Sequence, residues 1–132
     1  MDLDHKIYYD GENKFREVWT KDDNYHREDG PAVIEYYEDG NKKFEYWCIN
    51  NNFHREDGPA YVYYFKSGNK RKEVWYKNGD YHRENGPAII YYNEDGSIKE
   101  EHYYINDKIV RNELQLEIIK ANKLMWGDLL WI

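Results

Sequence analysis

A 28-residue period runs through the sequence and constrains its fold more than any other feature. The segment YHREDGPA at 25–32 returns as FHREDGPA at 53–60 and as YHRENGPA at 81–88. Fixed periods of about 20–50 residues are typical of stacked repeats, in which each unit buries its apolar face against its neighbours. The sequence therefore predicts one array of equivalent units over residues 7–111.

Within one period, the residue pattern predicts a hairpin. The β-branched and aromatic run AVIEYY at 32–37 is followed by the turn EDGN and by a second strand-like run, KKFEYWCI, at 42–49. In the corner that leads to the next unit, we expect Gly58 to take a positive φ and Pro59 to begin a strand. Residues 1–132 then form a mainly β, single-domain array of about three and a half antiparallel hairpins.

Alternation along the first strand of each unit assigns its two faces. Ala32, Ile34 and Tyr36 share one face with their equivalents in the later units, and we predict that this face is the core. The opposite face is most aromatic in the middle repeat, and its candidate partner-binding residues are Tyr61, Tyr63, Phe65, Tyr37 and Tyr91. Contiguous aromatic side chains indicate an interface. The alternative is a second layer that the C-terminal helix covers.

The composition changes after Arg111 and predicts one capping α-helix. Asn112 is a suitable N-cap with Gln115 at the capping-box position, and Gly127 is a suitable stop. Apolar residues at helical intervals predict the buried face of this helix: Leu114, Ile118, Ala121 and Met125. A helix over the last hairpin would protect its edge, with the apolar tail at 128–132 packed onto it.

Charge and cysteine content restrict the function classes. The chain has 132 residues, a formal charge of −7, an aromatic content of 18% and one cysteine. An acidic balance opposes contacts with nucleic acid or anionic lipid and favours a basic protein partner. The sequence predicts no membrane span, no disulfide framework, no cofactor and no metal site, and we expect a cytoplasmic protein.

The segment EVWYKNGDYHRENG at 73–86 resembles the MORN repeat family, and most closely the subtype found in bacterial toxin-antitoxin-associated proteins. The likeness covers most of residues 7–111. The unit here is 28 residues long rather than the shorter unit of the family, an arginine follows each histidine, and Asp23 and Asn51 stand where Gly79 stands. The resemblance implies a scaffold for protein–protein contacts and carries over no catalytic residue.

The repeated His-Arg-acid motif contains the groups that acid–base catalysis uses. Three copies argue against a single catalytic site, because equivalent positions two strands apart are separated by about 9–10 Å. The same separation prevents His26, His54 and His82 from converging on one zinc ion. We therefore predict a structural motif and no enzyme activity.

Two further rows keep the 28-residue step, and we predict that both are inter-repeat structural elements. An acidic row and an arginine row are expected to form ion pairs between hairpins, the alternative being solvated charges: Glu45, Glu73 and Glu101 with Arg27, Arg55 and Arg83. Trp19, Trp47 and Trp75 are expected to pack between repeats.

The sequence as a whole predicts a non-enzymatic protein-binding repeat module that acts as an inhibitor, similar to an antitoxin, an immunity protein or a phage anti-defence protein. The alternative is a carbohydrate or small-ligand binder that uses the tryptophan row. Whether the hairpin edge near residues 7–20 pairs with a second copy is left open.

Overall fold

The computed structural model describes residues 3–122 as antiparallel hairpins followed by one helix, which confirms the predicted fold class. A ten-stranded sheet has the order β1-β2-β4-β5-β8-β9-β12-β13-β14, with β3 paired to β2. The elements are β1 (Asp4–Asp10), β2 (Asn13–Lys21), β3 (Asn24–Tyr25), β4 (Val33–Tyr36), β5 (Lys42–Tyr46), β6 (Cys48–Ile49), β7 (Asn52–Phe53), β8 (Tyr61–Tyr64), β9 (Lys70–Val74), β10 (Tyr76–Lys77), β11 (Asp80–Tyr81), β12 (Ile89–Tyr92), β13 (Ile98–Ile105), β14 (Lys108–Val110) and α1 (Glu113–Asn122).

Each corner contains a second, shorter hairpin that the sequence pattern did not predict. Strands β6 and β7 pair with each other, as do β10 and β11, and the ends of β2 and β13 pair in the same way with β3 and β14. Both central residues of each turn have positive φ, as a type I′ turn requires. The turn pairs are Asp22–Asp23, Asn50–Asn51, Asn78–Gly79 and Asn106–Asp107. Asp23 and Asn51 thus adopt the left-handed conformation of Gly79.

The strand register aligns one residue from each successive strand of the sheet, from β2 to β13, in a single row. Glutamates alternate with aliphatic residues along it, in the order Glu17, Ile34, Glu45, Val62, Glu73, Ile90 and Glu101. All of these except Glu101 are buried. The predicted core face therefore contains carboxylates as well as aliphatic side chains.

Burial is not confined to the predicted core face. Ala32 and Ile34 are buried as expected, but Val33 and Ile89 on the opposite face are buried as well. The next row of the register explains this, because Val33 lies opposite both Val18 and Tyr46. The prediction of a single buried face was wrong at this end of the strands, where side chains of the neighbouring strands pack beside Val33.

The positive φ predicted for Gly58 was wrong, and this glycine has a different structural role. It lacks a positive φ, and a Cβ at this position would lie 2.8 Å from the guanidinium carbon of Arg55. Gly30 and Gly86 are similarly close to their own arginines, at 2.6 and 3.0 Å. The glycine of each motif therefore makes room for an arginine side chain.

The helix α1 begins as the capping pattern predicts. The Asn112 Oδ1 atom accepts the Gln115 amide at 2.9 Å, and the Gln115 Oε1 atom accepts the Arg111 amide at 2.7 Å. No helix within residues 3–122 is long and apolar enough to cross a membrane. Met125, Gly127 and the tail at 128–132 lie outside the described residues.

The predicted buried face of the helix was wrong. Leu114 is 70% exposed, and Ile118 and Ala121 are exposed too, whereas Leu116 and Ile119 are at most 1% exposed. The buried pair packs with Ile105 and Val110 and with the ring of Tyr103, and we call this group the C-terminal cluster. Packing against the last hairpin therefore selects this pair rather than the predicted residues.

The packing of α1 predicts that two of its leucines contribute differently to the free energy of unfolding. We expect Leu116→Ala to lower the free energy of unfolding by about 2–5 kcal/mol, because it leaves a cavity in the C-terminal cluster. Leu114→Ala, the matched control, should change it by less than about 0.5 kcal/mol. Urea unfolding followed by circular dichroism measures both. Equal losses for the two variants would contradict the packing described here.

Candidate functional site

The buried glutamates are held by residues of the neighbouring hairpin and of their own strand. Each accepts a hydrogen bond from a tyrosine across the hairpin boundary and faces a lysine three residues earlier. The tyrosine pairs are Tyr36 with Glu17 and Tyr64 with Glu45, both at 2.5 Å, and Tyr92 with Glu73. The lysine pairs are Lys14 with Glu17 at 3.6 Å, and Lys42 with Glu45 and Lys70 with Glu73, both at 3.1 Å.

These contacts shift the pKa of both the carboxylate that accepts the hydrogen bond and the tyrosine that donates it. Burial alone would raise the pKa of Glu17, but the Tyr36 hydrogen bond and the nearby Lys14 and His5 outweigh it and lower that pKa. Burial, followed by the bond to the Glu17 carboxylate, raises the pKa of Tyr36 well above its usual value. The carboxylate is thus held ionised and the phenol neutral, which suits a fixed structural bond.

The predicted ion pairs between the glutamate and arginine rows are wrong. Each arginine instead stacks on the tryptophan of its own corner and donates to a proline carbonyl. Arg55, for example, has its guanidinium carbon 3.9 Å from the Trp47 ring centroid and donates to the Pro59 oxygen at 3.2 Å. The equivalent stacks are Arg27 on Trp19 at 3.9 Å and Arg83 on Trp75 at 3.8 Å. Tryptophan and arginine therefore stabilise each corner, while the tyrosine–glutamate bonds join adjacent hairpins.

Each motif histidine joins its corner to the next, a role that sequence reasoning missed. The His26 Nδ1 atom accepts the Asn50 amide at 3.1 Å. His54 and His82 accept the amides of Asn78 and Asn106 at the same distance. The constant step of 24 residues between histidine and turn could have indicated this bond.

The acids of the motif lie on the solvent side of the histidines. The Nε2 atoms of the three histidines are 3.6, 2.7 and 3.6 Å from the carboxylates of Glu28, Glu56 and Glu84. Those glutamates are exposed, and Asp29 and Asp57 beside them pair with the arginines of the same corners at 3.2 and 3.4 Å. Among residues 3–122, no group of three or more His, Cys, Asp or Glu side chains could hold a metal ion.

The opposite face of the sheet carries a continuous group of aromatic rings. We call Phe44, Tyr46, Tyr61, Tyr63 and Tyr91 the aromatic face. Ring centroids are 4.7 Å apart for Phe44 and Tyr46, 5.0 Å for Tyr46 and Tyr61, and 6.5 Å for Tyr61 and Tyr63. All five side chains are half-buried. The first four form a cluster on the adjacent strands β5 and β8, and Tyr91 lies on β12, on the far side of β9.

Two cations lie over this patch. The Arg71 guanidinium carbon is 5.3 Å from the Tyr63 centroid and 5.4 Å from that of Phe65. The Lys72 ammonium is 5.0 Å from the Tyr91 centroid and 5.8 Å from that of Tyr61. The aromatic face therefore combines ring surface with positive charge on a protein whose net charge is negative.

The structure separates the predicted partner-binding residues into two groups. Tyr61, Tyr63, Phe65 and Tyr91 lie at the aromatic face or its margin, whereas the Tyr37 hydroxyl donates to the Tyr64 carbonyl at 2.7 Å and ties two units together. Burial raises the pKa of Tyr61 to about 12.

Sequence reasoning missed Phe44 and Tyr46 because it assigned faces only to the first strand of each unit. Alternation along β5 could have found them, since Phe44 and Tyr46 lie opposite Tyr63 and Tyr61. The described part of α1 packs on β14 and the C-terminal cluster. It does not account for the aromatic layer of the middle repeat.

Grooves run between successive corners. One of about 470 Å³ is lined by Trp47, His54, Arg55 and Glu56, among others, and a second of about 370 Å³ has the equivalent Trp75. Acids and arginines of the motif line both grooves. One ring face of each tryptophan is covered by an arginine.

No protein-family model matches the sequence, and neither a curated protein nor a solved structure matches it significantly. The resemblance to MORN repeats therefore stays a prediction, and function is argued from the geometry alone.

The histidine contacts predict a loss of stability in acid. Burial lowers the pKa of His82 below its usual value, although Glu84 and Asp80 oppose this and Lys77 adds to it. As the pH falls below about 6.5, the unfolded chain takes up a proton first, so the free energy of unfolding declines. Protonated Nδ1 also ceases to accept the Asn106 amide.

His82→Asn supplies the control, because its Oδ1 atom can accept the same amide without titrating. Urea unfolding at about pH 7.5 and about pH 5.5 should show a smaller acid loss in this variant than in the wild type. The other histidines contribute equally to both proteins. An identical acid loss in the two proteins would exclude the assigned role of His82.

Proposed function

We propose that the chain is a non-enzymatic protein-binding repeat module and that its partner docks on the aromatic face. The observation that carries the proposal is the group of adjacent rings on β5 and β8 with Arg71 and Lys72 above it. Aromatic residues and arginine are enriched in protein interfaces, where a few of them supply most of the binding energy. The rings are pre-positioned by the sheet, which reduces the entropy lost on binding.

The use of the other polar groups supports the same proposal. The histidines accept backbone amides, the glutamates accept tyrosine hydroxyls, and the arginines stack on tryptophans, in every complete unit. These contacts occupy the groups that an acid–base mechanism needs. A catalytic site requires one asymmetric arrangement, whereas here the same contacts recur at each step of the period.

Charge supports a basic partner, as the sequence predicts. The acidic excess is displayed in the corners, where Glu28, Asp29, Glu56 and Asp57 are each more than three-quarters exposed. Such a row accelerates the approach of a positively charged protein at low salt. Arg71, with its planar fork of donors, would then bind a carboxylate or carbonyl of that partner at the docking surface.

We propose inhibition as the consequence of binding. A chain of this size that only binds acts by covering a surface of its partner, as antitoxins, immunity proteins and phage anti-defence proteins do. We further propose that it works in the cytoplasm, where Cys48 would stay reduced. Burial raises the pKa of the Cys48 thiol to about 11, which keeps it unreactive.

A carbohydrate or small-ligand binder is the second candidate, supported by the grooves beside Trp47 and Trp75. Sugars stack on open ring faces, and here an arginine lies at 3.8–3.9 Å over each of these rings. A ligand that stacks on the covered face would have to displace the guanidinium. The geometry therefore favours the protein-binding proposal.

Binding to a purified partner tests the aromatic face. Affinity capture from an extract of the source cells, followed by mass spectrometry, identifies the partner. Calorimetry then compares the wild type with Tyr63→Ala and Arg71→Glu. We expect each variant to weaken binding by at least about tenfold, as hot-spot residues do.

The repeat supplies a matched control. Lys99 occupies the position equivalent to Arg71 in the next unit, and both side chains are exposed. In that unit, Asn93 replaces Phe65, one of the two rings below Arg71. Lys99→Glu should leave the affinity within about twofold, since surface charge changes away from a contact have small effects. Wild-type affinity in the Tyr63 and Arg71 variants would reject the aromatic face. Fluorescence titration with soluble glycans would then test the tryptophan grooves.

A further inference from the structure

The N-terminal strand β1 is an open edge of the sheet. Among residues 3–122 it pairs with β2 alone, and all seven of its residues are exposed. Ile7 and Tyr9 are 40% and 58% exposed, which is unusual for apolar side chains in a strand. At the other end of the sheet, α1 packs against β14. The protection that proteins normally give to a sheet edge is thus present at one end of the described chain only.

Hydrogen bonds of β2 determine which groups of β1 point outward. The Trp19 amide donates to the Ala32 carbonyl at 2.7 Å, and the Trp19 carbonyl accepts the His26 amide at 3.1 Å. Both groups therefore face away from β1. Because backbone direction alternates along a strand, the polar groups of Val18 face β1, where Lys6 lies opposite.

The same alternation along β1 turns the backbone amides and carbonyls of His5, Ile7 and Tyr9 away from β2. The register shift in this hairpin places its extra residue, Phe15, on β2, so the alternation of β1 continues unbroken. A row of donors and acceptors is therefore available to one more antiparallel strand.

We propose that this strand is β1 of a second copy, related by a twofold axis that passes beside Tyr8. Ile7 of each copy then exchanges two hydrogen bonds with Tyr9 of the other, and Tyr8 lies opposite Tyr8. Lys6 of each copy lies opposite Asp10 of the other. A twofold pairing makes every such contact twice.

Charge complementarity selects this register among those that bring outward-facing residues together. A shift by two residues in one direction places Asp4 opposite Asp10, and a further shift by two in that direction places Lys6 opposite Lys6. A shift by two in the other direction moves the partner of Lys6 beyond Asp10, where β1 ends. Like charges directly opposite each other destabilise a strand pair, whereas opposite charges stabilise it. Among the registers that pair at least five residues of β1, the proposed one alone forms two lysine–aspartate pairs.

The dimer is independent of the proposed function and adds to it. A twofold axis perpendicular to the sheet leaves the aromatic faces of the two copies on the same side. Strand β8 is four positions from β1, or about 19 Å at the usual strand spacing, so pairing at β1 leaves both docking surfaces accessible. The assembly would be bivalent toward its partner.

Sedimentation equilibrium of the full chain over a concentration series tests the proposal. We expect the wild type to approach twice the 16.2 kDa of one chain. Lys6→Asp and Asp10→Lys, each alone, place like charges opposite each other and should sediment as monomers. Melting temperatures close to that of the wild type will show that the hairpin stays folded, since both side chains are exposed.

Mixing the two variants restores the complementarity. A Lys6→Asp chain has aspartates at positions 6 and 10, and an Asp10→Lys chain has lysines at both. Each lysine of one chain then lies opposite an aspartate of the other, so their mixture should recover a dimer. The double variant K6D/D10K should also self-associate. A monomeric wild type at every concentration, or a wild-type dimer that both single variants retain, would overturn the proposal. Failure of the mixture to associate would overturn the register.

Discussion

Burial of a carboxylate inside a β-sheet is the constraint on which the rest of this structure depends. Glu17, Glu45 and Glu73 occupy a row that aliphatic residues otherwise fill, and an unpaired carboxylate there would carry a large desolvation penalty. Each receives a tyrosine hydroxyl from the next hairpin and a lysine from its own strand. The partner required by one unit is therefore supplied by its neighbour, which fixes both the register and the period of the array.

The corners are held by a second set of repeated contacts. Each histidine accepts a backbone amide of the next corner, and each tryptophan–arginine stack fills the corner that contains it. The glycine of the motif is needed because a side chain would displace that arginine. Histidine, glutamate and arginine, which are often catalytic, thus hold the corners and hairpins of the array together here. The residues of the aromatic face take part in packing but in none of these contacts.

The repeat, the hairpins and the N-cap were predictable because each depends on local sequence. A period of 28 residues is visible without structural knowledge, and Asn112 with Gln115 is a capping signal. The pairing of charged rows was not predictable, because two rows with the same period permit several partners. Three-dimensional register decides that Glu45 meets Tyr64, 19 residues away, while Arg55 stays on Trp47.

The candidate site was partly predictable for the same reason. Tyr61 and Tyr63 were found by alternation along one strand, whereas Phe44 and Tyr46 join them only through cross-strand pairing. The buried side of the helix depended on how the last hairpin meets it, and the leucines and isoleucines of α1 offer two apolar stripes. Local pattern identified the helix, and tertiary packing selected the stripe formed by Leu116 and Ile119.

A double-mutant cycle between Glu45 and Tyr64 tests the central claim that buried tyrosine–glutamate bonds hold the hairpins together. Urea unfolding of Glu45→Leu, Tyr64→Phe and the double variant gives the coupling free energy. The account predicts that the double variant loses less stability than the sum of the single variants, by about 1–3 kcal/mol, because each single change leaves one polar group buried without its partner. A coupling near zero would show that the two residues act independently and would contradict the account.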